Sequence, residues 1–486
     1  MIIRIAILFS VWRIKWKKVV NLALEHWKKV VNLALEHWKK VVMLYRKVNA
    51  GFEEWFKGTN KKALFVQGAR QVGKTTTIRE FCRSHYENFI ELNFIKKPTV
   101  KKAFAGDLDA DTIILNLSAM GYGPFVKGKT VIFLDEIQEC SEARTAIKFL
   151  VEDGSYDYIE SGSLLGINYK NSEDEPEDSY EGDIASVPVG YEDTLDMYPL
   201  DFEEFLLACR MPQQVVDTLR RAFDTGKAVP EFIHGQVMER FRQYLVVGGL
   251  PEVVSAFVSN RDFGATLKVQ KNLVAGYRRD ITKYAEKDKA LVRAVFDAIP
   301  SQLAKKDKRF VIADIEKGTG RRKYGEPTQW LIDAGMAYYS YNVNAFSLPF
   351  ANVENKALFK LFMVDPGLVC YMSLSGRQFE VMNGTIDVNE GALAEEFVAA
   401  ELSKKGIELH YYDKKSKHEL DFLIATPSGI EIVEVKSGDD YKTHASLDYA
   451  LENEGWRIAK SIVLCKSNTF VEDEVTYMPL YMAMFL

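Results

Sequence analysis

The chain has 486 residues, 47% of them apolar and 27% charged, with a formal net charge of -5. That is the make-up of a soluble globular protein of about three domains, and it excludes collagen-like, disordered and disulfide-framework classes. The five cysteines lack paired or zinc-type spacing and no run of eighteen apolar residues occurs, so a reducing, cytoplasmic setting without stable membrane insertion is expected.

The short apolar stretch at 5–12 is followed, not preceded, by its main positive charges, unlike a secretion signal. WKKVVNLALEH then occurs at 16–26, again unchanged at 27–37, and begins once more at Trp38. An eleven-residue period is close to three helical turns and sets Trp16, Val19, Val20, Ala23 and Trp27 on one face. Residues 1–42 thus admit two readings. One is a basic amphipathic helix for a membrane surface or partner; the other is translated duplicated DNA upstream of a start at Met43. They hold nine Lys/Arg and two Glu, which leaves 54 basic against 66 acidic residues in the remainder, a net of -12. Any nucleic-acid contact must then use local basic patches.

ALFVQ at 63–67 predicts a buried strand and 75–84 the helix that follows, with GARQVGKT at 68–75 between them. Gly68 and Gly73 permit a tight turn through Ala69, Arg70, Gln71 and Val72, so that loop N–H groups and the helix N-terminus face phosphates. Lys74 then reaches the β- and γ-phosphates, and Thr75 places its hydroxyl on Mg2+ with Thr76 beside it. The apolar strand at 131–134 ends in Asp135 and Glu136, positions for an Mg2+ carboxylate and a base that activates water. Together the two motifs predict a P-loop ATPase that uses ATP and Mg2+. In YIESGS, Ser161 and Ser163 follow another apolar strand. Ser163 there either senses the γ-phosphate or belongs to a simple turn.

Seven acids between Glu173 and Asp183 predict a solvated loop at 171–183 within an ATPase domain of 43–205. Residues 206–285 show helical periodicity around the Gly248-Gly249 break, as in a helical lid. Arg278 and Arg279 are either surface arginines or arginine fingers toward a neighbouring subunit, which requires a homo-oligomer. Between Lys305 and Lys323 stand eight Lys/Arg against three acids, then a helical and a strand-like stretch. This predicts a winged-helix-like segment at 286–350, either structural or binding DNA through its phosphates.

The last hundred residues order as helix (391–404), strands (407–412, 419–425, 429–436), helix (447–454) and strand (461–464). Asp421 opens one strand, and Glu434 and Lys436 alternate on one face of the next. Two carboxylates can hold Mg2+ while the ammonium orients water or stabilises phosphorane charge. Alternating charge on a half-exposed strand gives the same pattern without chemistry.

Several motifs in order, GARQVGKT, FLDEIQ (133–138), GSLLG (162–166), VPVGY (187–191), YPLDFEEFL (198–206), YLVVGGLPEVV (244–254), FKLFMVDPGL (359–368), ELDFLI and IVEVKSG, carry a resemblance. The chain resembles the bacterial AAA+-like ATPases that carry a C-terminal PD-(D/E)XK nuclease-like domain of unknown function. The likeness covers most of 43–486 and leaves out the first 42 residues. It implies an α/β multidomain fold: a P-loop parallel-sheet ATPase domain, a helical and winged-helix-like middle, and a restriction-endonuclease-like domain at 351–486. It also implies that Glu395, on the helix before those strands, completes the metal shell of Asp421 and Glu434. The activity implied is an ATPase coupled to a DNA-directed nuclease-like end; the competing class is a switch ATPase whose C-terminal domain binds nucleic acid or protein without cutting.

Overall fold

The computed structural model describes residues 44–59, 61–162, 188, 190–260, 262–285, 288–316, 321–374, 376–385, 390–414, 417–453 and 455–486. The repeat at 1–42, the acidic loop at 171–183 and Ser163 lie outside the described residues.

The first sheet comprises β1 (Ala63–Gln67), β2 (Asn88–Asn93), β3 (Thr130–Asp135), β4 (Asp157–Gly162) and β5 (Glu192–Asp196), in the order β2-β3-β4-β1-β5. All its pairings are parallel. Strands buried on both faces explain why ALFVQ and TVIFLD are continuous apolar runs without alternation. Ala63, Phe65, Ile132 and Leu134 pack into one layer, while Leu64, Val66, Val131 and Phe133 pack into the other. Parallel register brings all C-terminal strand ends to one edge, where ligands bind in open α/β sheets. Here Asp135 stands opposite both Asn93 and Ser161, and Ser161 opposite Val66.

Among the described residues helices follow at Phe202–Ala208, Gln213–Thr225, Glu231–Val247, Pro251–Asn260, Phe263–Tyr284, Lys289–Leu303 and Arg321–Asp333. The first is started by a capping box, with Asp201 accepting from the Glu204 N–H and Glu204 reaching back. The hydrophobic core does not break at 205/206 or 285/286. One cluster runs from Phe52 and Val66 through Phe202, Tyr244 and Tyr277 to Phe397 and Met484. Phe202 meets Phe397 edge-on at 5.9 Å, so helix and C-terminal domain share side chains rather than a linker.

The second sheet holds β6 (Ala337–Val343), β7 (Glu354–Met363), β8 (Leu409–Asp413), β9 (Glu419–Thr426), β10 (Gly429–Val435), β11 (Ile458–Cys465), β12 (Phe470–Glu472) and β13 (Val475–Pro479). Its order is β12-β13-β11-β10-β9-β8-β6-β7. The expected boundary at 350/351 falls inside the antiparallel β6–β7 pair, and β6 runs parallel to β8. The strand-like stretch read as a wing is therefore an inner strand of the C-terminal sheet, paired on one side with β7 and on the other with β8. Backbone pairing to β8 satisfies its N–H and C=O groups there, which a free wing would leave to solvent.

Candidate functional site

Residues 68–73 connect β1 to the helix Lys74–His85. Gly73 caps that helix at φ 97° and Gly68 sits at φ +150°. A Cβ on Gly68 would lie 2.1 Å from the Met197 carbonyl oxygen, because the chain entering Met197 continues the β1–β5 pairing across the loop. Ala69 and Val72 are buried in the core, so they contribute backbone rather than side chain. Gln71 adopts a positive φ of 68° and is exposed, as is Thr76. Lys74 Nζ donates to the carbonyls of Gly68 at 2.8 Å and Ala69 at 2.9 Å. Desolvation lowers its ammonium to about 8 against the pull of Glu136.

Asp135 is the centre of the polar network. Its Oδ1 accepts from Thr75 Oγ1 at 3.0 Å and Ser161 Oγ at 2.6 Å, and its Oδ2 from Asn93 Nδ2 at 2.6 Å. Three donors fix this buried carboxylate in orientation. Glu136 turns out of the strand in a left-handed conformation, φ 59°, and its Oε2 accepts from Gln138 Nε2 at 2.5 Å. A hydroxyl and a carboxylate beside a lysine form a hard-oxygen donor set suited to Mg2+ held between protein and phosphates. Asn93 was not among the expected site residues; its one mark in the sequence is its place at the end of the β2 strand.

The loop is also gripped from the helical region. Arg70 Nη1 donates to Asp280 at 2.7 Å, and Tyr277 OH donates to the Arg70 carbonyl at 3.0 Å. Both partners lie on the helix Phe263–Tyr284. Arg46 Nη1 holds the Val72 carbonyl at 2.9 Å. Of the two candidate fingers, Arg278 is engaged with Asp297 at 2.8 Å, whereas Arg279 is exposed. None of these loop supports shows a motif in the sequence.

In the C-terminal domain the four expected residues come together. Glu395 on the helix Glu390–Ser403, Asp421 on β9 and Glu434 on β10 are buried. Lys436 Nζ lies 3.5 Å from Glu434 Oε2, and the Val435 N–H donates to Asp421 at 2.9 Å. Burial and Asp421 raise the Glu434 and Glu395 carboxyls. Against burial, Lys360 and Lys308 hold Asp421 below the usual carboxylate range. These two lysines were not expected: Lys308 forms an ion pair with Glu395, and Lys360 lies 2.7 Å from Glu419 and 3.8 Å from Glu395. A lysine inside the apolar run FKLFMV was the sequence mark of Lys360.

The basic segment differs from a free phosphate-binding patch. Lys305 pairs with Asp314, Lys308 with Glu395, Arg309 with Asp307 and Asp413, and Lys323 with Glu316. Only Lys306, of the basic side chains described in this segment, is exposed without such a partner. Three local acids and two from the C-terminal domain fold onto these cations, and a count of charges along the chain does not contain that.

Residues 60–206 match the model of an AAA domain, residues 238–378 a domain of unknown function (DUF8612) and residues 390–482 another (DUF4143). No curated relative matches the chain. Among solved structures it is similar to the Walker-type ATPase paby2304 of Pyrococcus abyssi, at 15% identity over 68% of this chain and 96% of that one, with a TM-score of 0.39. It is also similar to protein VC1899 from Vibrio cholerae, at 10% identity over 87% and 95%, with a TM-score of 0.17. Fold and loop geometry define the first unit as a P-loop nucleotide-binding domain. With the family match over the same residues, it is an ATP-binding domain of AAA ATPase type. No helix among the described residues is long and apolar enough to cross a membrane.

Proposed function

We propose that this chain hydrolyses ATP with Mg2+ and that its nucleotide state sets the state of a DNA-directed, nuclease-like C-terminal domain. The observation that carries the ATPase part is Asp135, fixed by Thr75, Ser161 and Asn93 beside Lys74 and Glu136. Loop N–H groups and the start of the helix Lys74–His85 bind the phosphates. Lys74 exchanges the Gly68 and Ala69 carbonyls for β- and γ-phosphate oxygens. The Thr75 hydroxyl and the Asp135 carboxylate would hold Mg2+, which neutralises phosphate charge when bound. Glu136, steadied by Gln138, orients the attacking water and takes its proton. Ser163 is assigned to the γ-phosphate on its position after β4.

Coupling is supported by the contacts above the loop. Arg70 joins Asp280 and Arg278 joins Asp297, so movement at the phosphates reaches the helices Phe263–Tyr284 and Lys289–Leu303. The nuclease-like reading is supported by element order and by the convergence of Glu395, Asp421, Glu434 and Lys436. A helix is followed by the antiparallel strands β8, β9 and β10, a helix, and β11 parallel to β10, in keeping with a restriction-endonuclease-like core. In this role Asp421, Glu434 and Glu395 would be the metal carboxylates and Lys436 the group that orients water.

A second reading, a switch ATPase whose C-terminal domain binds nucleic acid or protein without cutting, is favoured by the lysines set against those carboxylates. One experiment separates them. Purified chain is assayed for ATP turnover and for nicking of plasmid and linear DNA with Mg2+ or Mn2+, with Asp421→Ala and Lys436→Ala beside it. Cleavage lost in both variants supports the nuclease; no cleavage, with partner affinity that changes on ATP addition, supports the switch. Absence of ATP turnover under all conditions defeats the ATPase proposal.

A further inference from the structure

The carboxylate cluster contains cations of the protein's own. Lys360, on β7, is 0% exposed, with Nζ 2.7 Å from Glu419 Oε1 and 3.8 Å from Glu395 Oε2. Lys308 pairs with the other Glu395 oxygen, Oε1, and Lys436 stands by Glu434. Three ammonium groups thus face the four carboxylates Glu395, Glu419, Asp421 and Glu434, leaving one formal negative charge. A divalent ion bound by hard oxygens needs carboxylates that are not already neutralised, since desolvating it is otherwise uncompensated. Geometry agrees. Among the described residues, a trio of metal-capable groups with ligand atoms all within 4.8 Å of one another is formed by Glu354, Glu408 and His410, not by these carboxylates. As arranged, the cluster does not fit Mg2+.

The two added lysines differ in freedom. Lys360 is fixed in the middle of a strand with no exposure, whereas Lys308 follows the helix Lys289–Leu303 in irregular chain and its side chain keeps 18% exposure. Withdrawing Lys308 into water therefore frees Glu395 Oε1 without unfolding the sheet. The helix it follows is tied through Asp297 to Arg278, and the helix bearing Arg278 is tied through Asp280 to Arg70 of the phosphate loop.

We propose that Lys308 is a tethered counter-cation: its ammonium occupies Glu395 in place of a divalent ion and keeps the nuclease-like site unloaded until it is withdrawn. This rests on the nuclease-like reading of the C-terminal domain. Its chemical content is that one side chain, outside the Asp421, Glu434, Lys436 set, decides metal loading.

The test is Mn2+ titration of the full chain without nucleotide, followed by electron paramagnetic resonance, in wild type, Lys308→Met, Lys308→Arg and each combined with Asp421→Asn. Only binding lost with Asp421→Asn is counted, which removes ions held at Glu354, Glu408 and His410. Lys308→Met is expected to bind Mn2+ about tenfold or more tightly than wild type, because a buried carboxylate loses its competing cation, while Lys308→Arg matches wild type. Unchanged ATP affinity checks the fold; should Lys308→Met not fold, Lys308→Gln is read the same way. Asp421-dependent binding of equal affinity in wild type and Lys308→Met overturns the role of Lys308 and leaves the nuclease-like reading standing. No Asp421-dependent binding in any variant overturns both.

Discussion

Arg70, in the phosphate loop, donates to Asp280 at 2.7 Å across 210 positions of sequence. The pair is partly buried, with side-chain exposures of 22% and 24%, and Tyr277 on the same helix holds the Arg70 carbonyl. A charged contact from loop to lid is where phosphate binding can bias a helix position, since a bound anion competes with Asp280 for the guanidinium. Asp280→Asn is therefore expected to keep ATP affinity within about threefold while uncoupling the helix. In hydrogen exchange measured by mass spectrometry, wild type should show an ATP-dependent change along the helices Phe263–Tyr284 and Lys289–Leu303, and the variant should lose it. The same ATP response in both proteins refutes the coupling role.

Lys74 gives a prediction in pH. Its ammonium is lowered to about 8, first by desolvation, and nucleotide phosphates raise it on binding. The lysine is already protonated below the free-state value, so ATP affinity is full there. Above about pH 8 binding must take up a proton, and affinity falls by up to about tenfold per unit until the bound-state value is passed. Titration of a fluorescent nucleotide from pH 7 to 9.5 in buffers of different ionisation enthalpy checks both the decline and the proton uptake. Lys74→Ala is expected to abolish measurable binding, a loss of at least about 2 kcal/mol; intact affinity in that variant shows that the phosphates sit elsewhere.

Glu136 separates binding from hydrolysis. Its carboxylate is oriented by Gln138 and lies outside the Thr75–Asp135–Ser161 network, so Glu136→Gln leaves that network whole. Turnover is expected to fall about 100-fold or more, the range for loss of a general base, with ATP affinity nearly unchanged. Steady-state phosphate release beside equilibrium binding decides it, and an unaltered turnover assigns water activation to another group.

Gly249 tests the join between domains. A Cβ there would lie 1.9 Å from the Leu200 carbonyl oxygen, while the Leu200 N–H donates to the Gly249 carbonyl at 2.7 Å and the Gly249 N–H to buried Asp365 at 2.5 Å. The clash is backbone against backbone and no rotamer relieves it. Gly249→Ala is expected to cost about 3 kcal/mol in urea unfolding; a loss under about 1 kcal/mol indicates that the segments are not so closely packed.

Much of the site was legible because its chemistry is local. Gly68, Gly73, Lys74 and Thr75 are fixed by one turn between a strand and a helix, and β1 occupies the expected residues 63–67. The β8, β9 and β10 strands fall within two residues of expectation at each end, since alternation and turn residues mark them. The roles of Asn93, Asp280 and Lys360 show only in space, because each acts through a neighbour brought by register or packing. In the sequence Lys308 is one of a run of basic residues that is either structural or phosphate-binding; its partner Glu395 lies 87 positions away.

By itself the sequence determined the nucleotide loop, the acids at the end of β3 and the element order from the helix at 390–403 to β11, because backbone geometry and side-chain periodicity act over a few residues. The tertiary structure alone decided that the core runs unbroken from Phe52 to Met484, that β6 joins the C-terminal sheet, and that the basic segment spends its charge on the protein's own carboxylates. Burial and Coulomb attraction depend on distance in space, and that distance is set only when strands pair and helices pack.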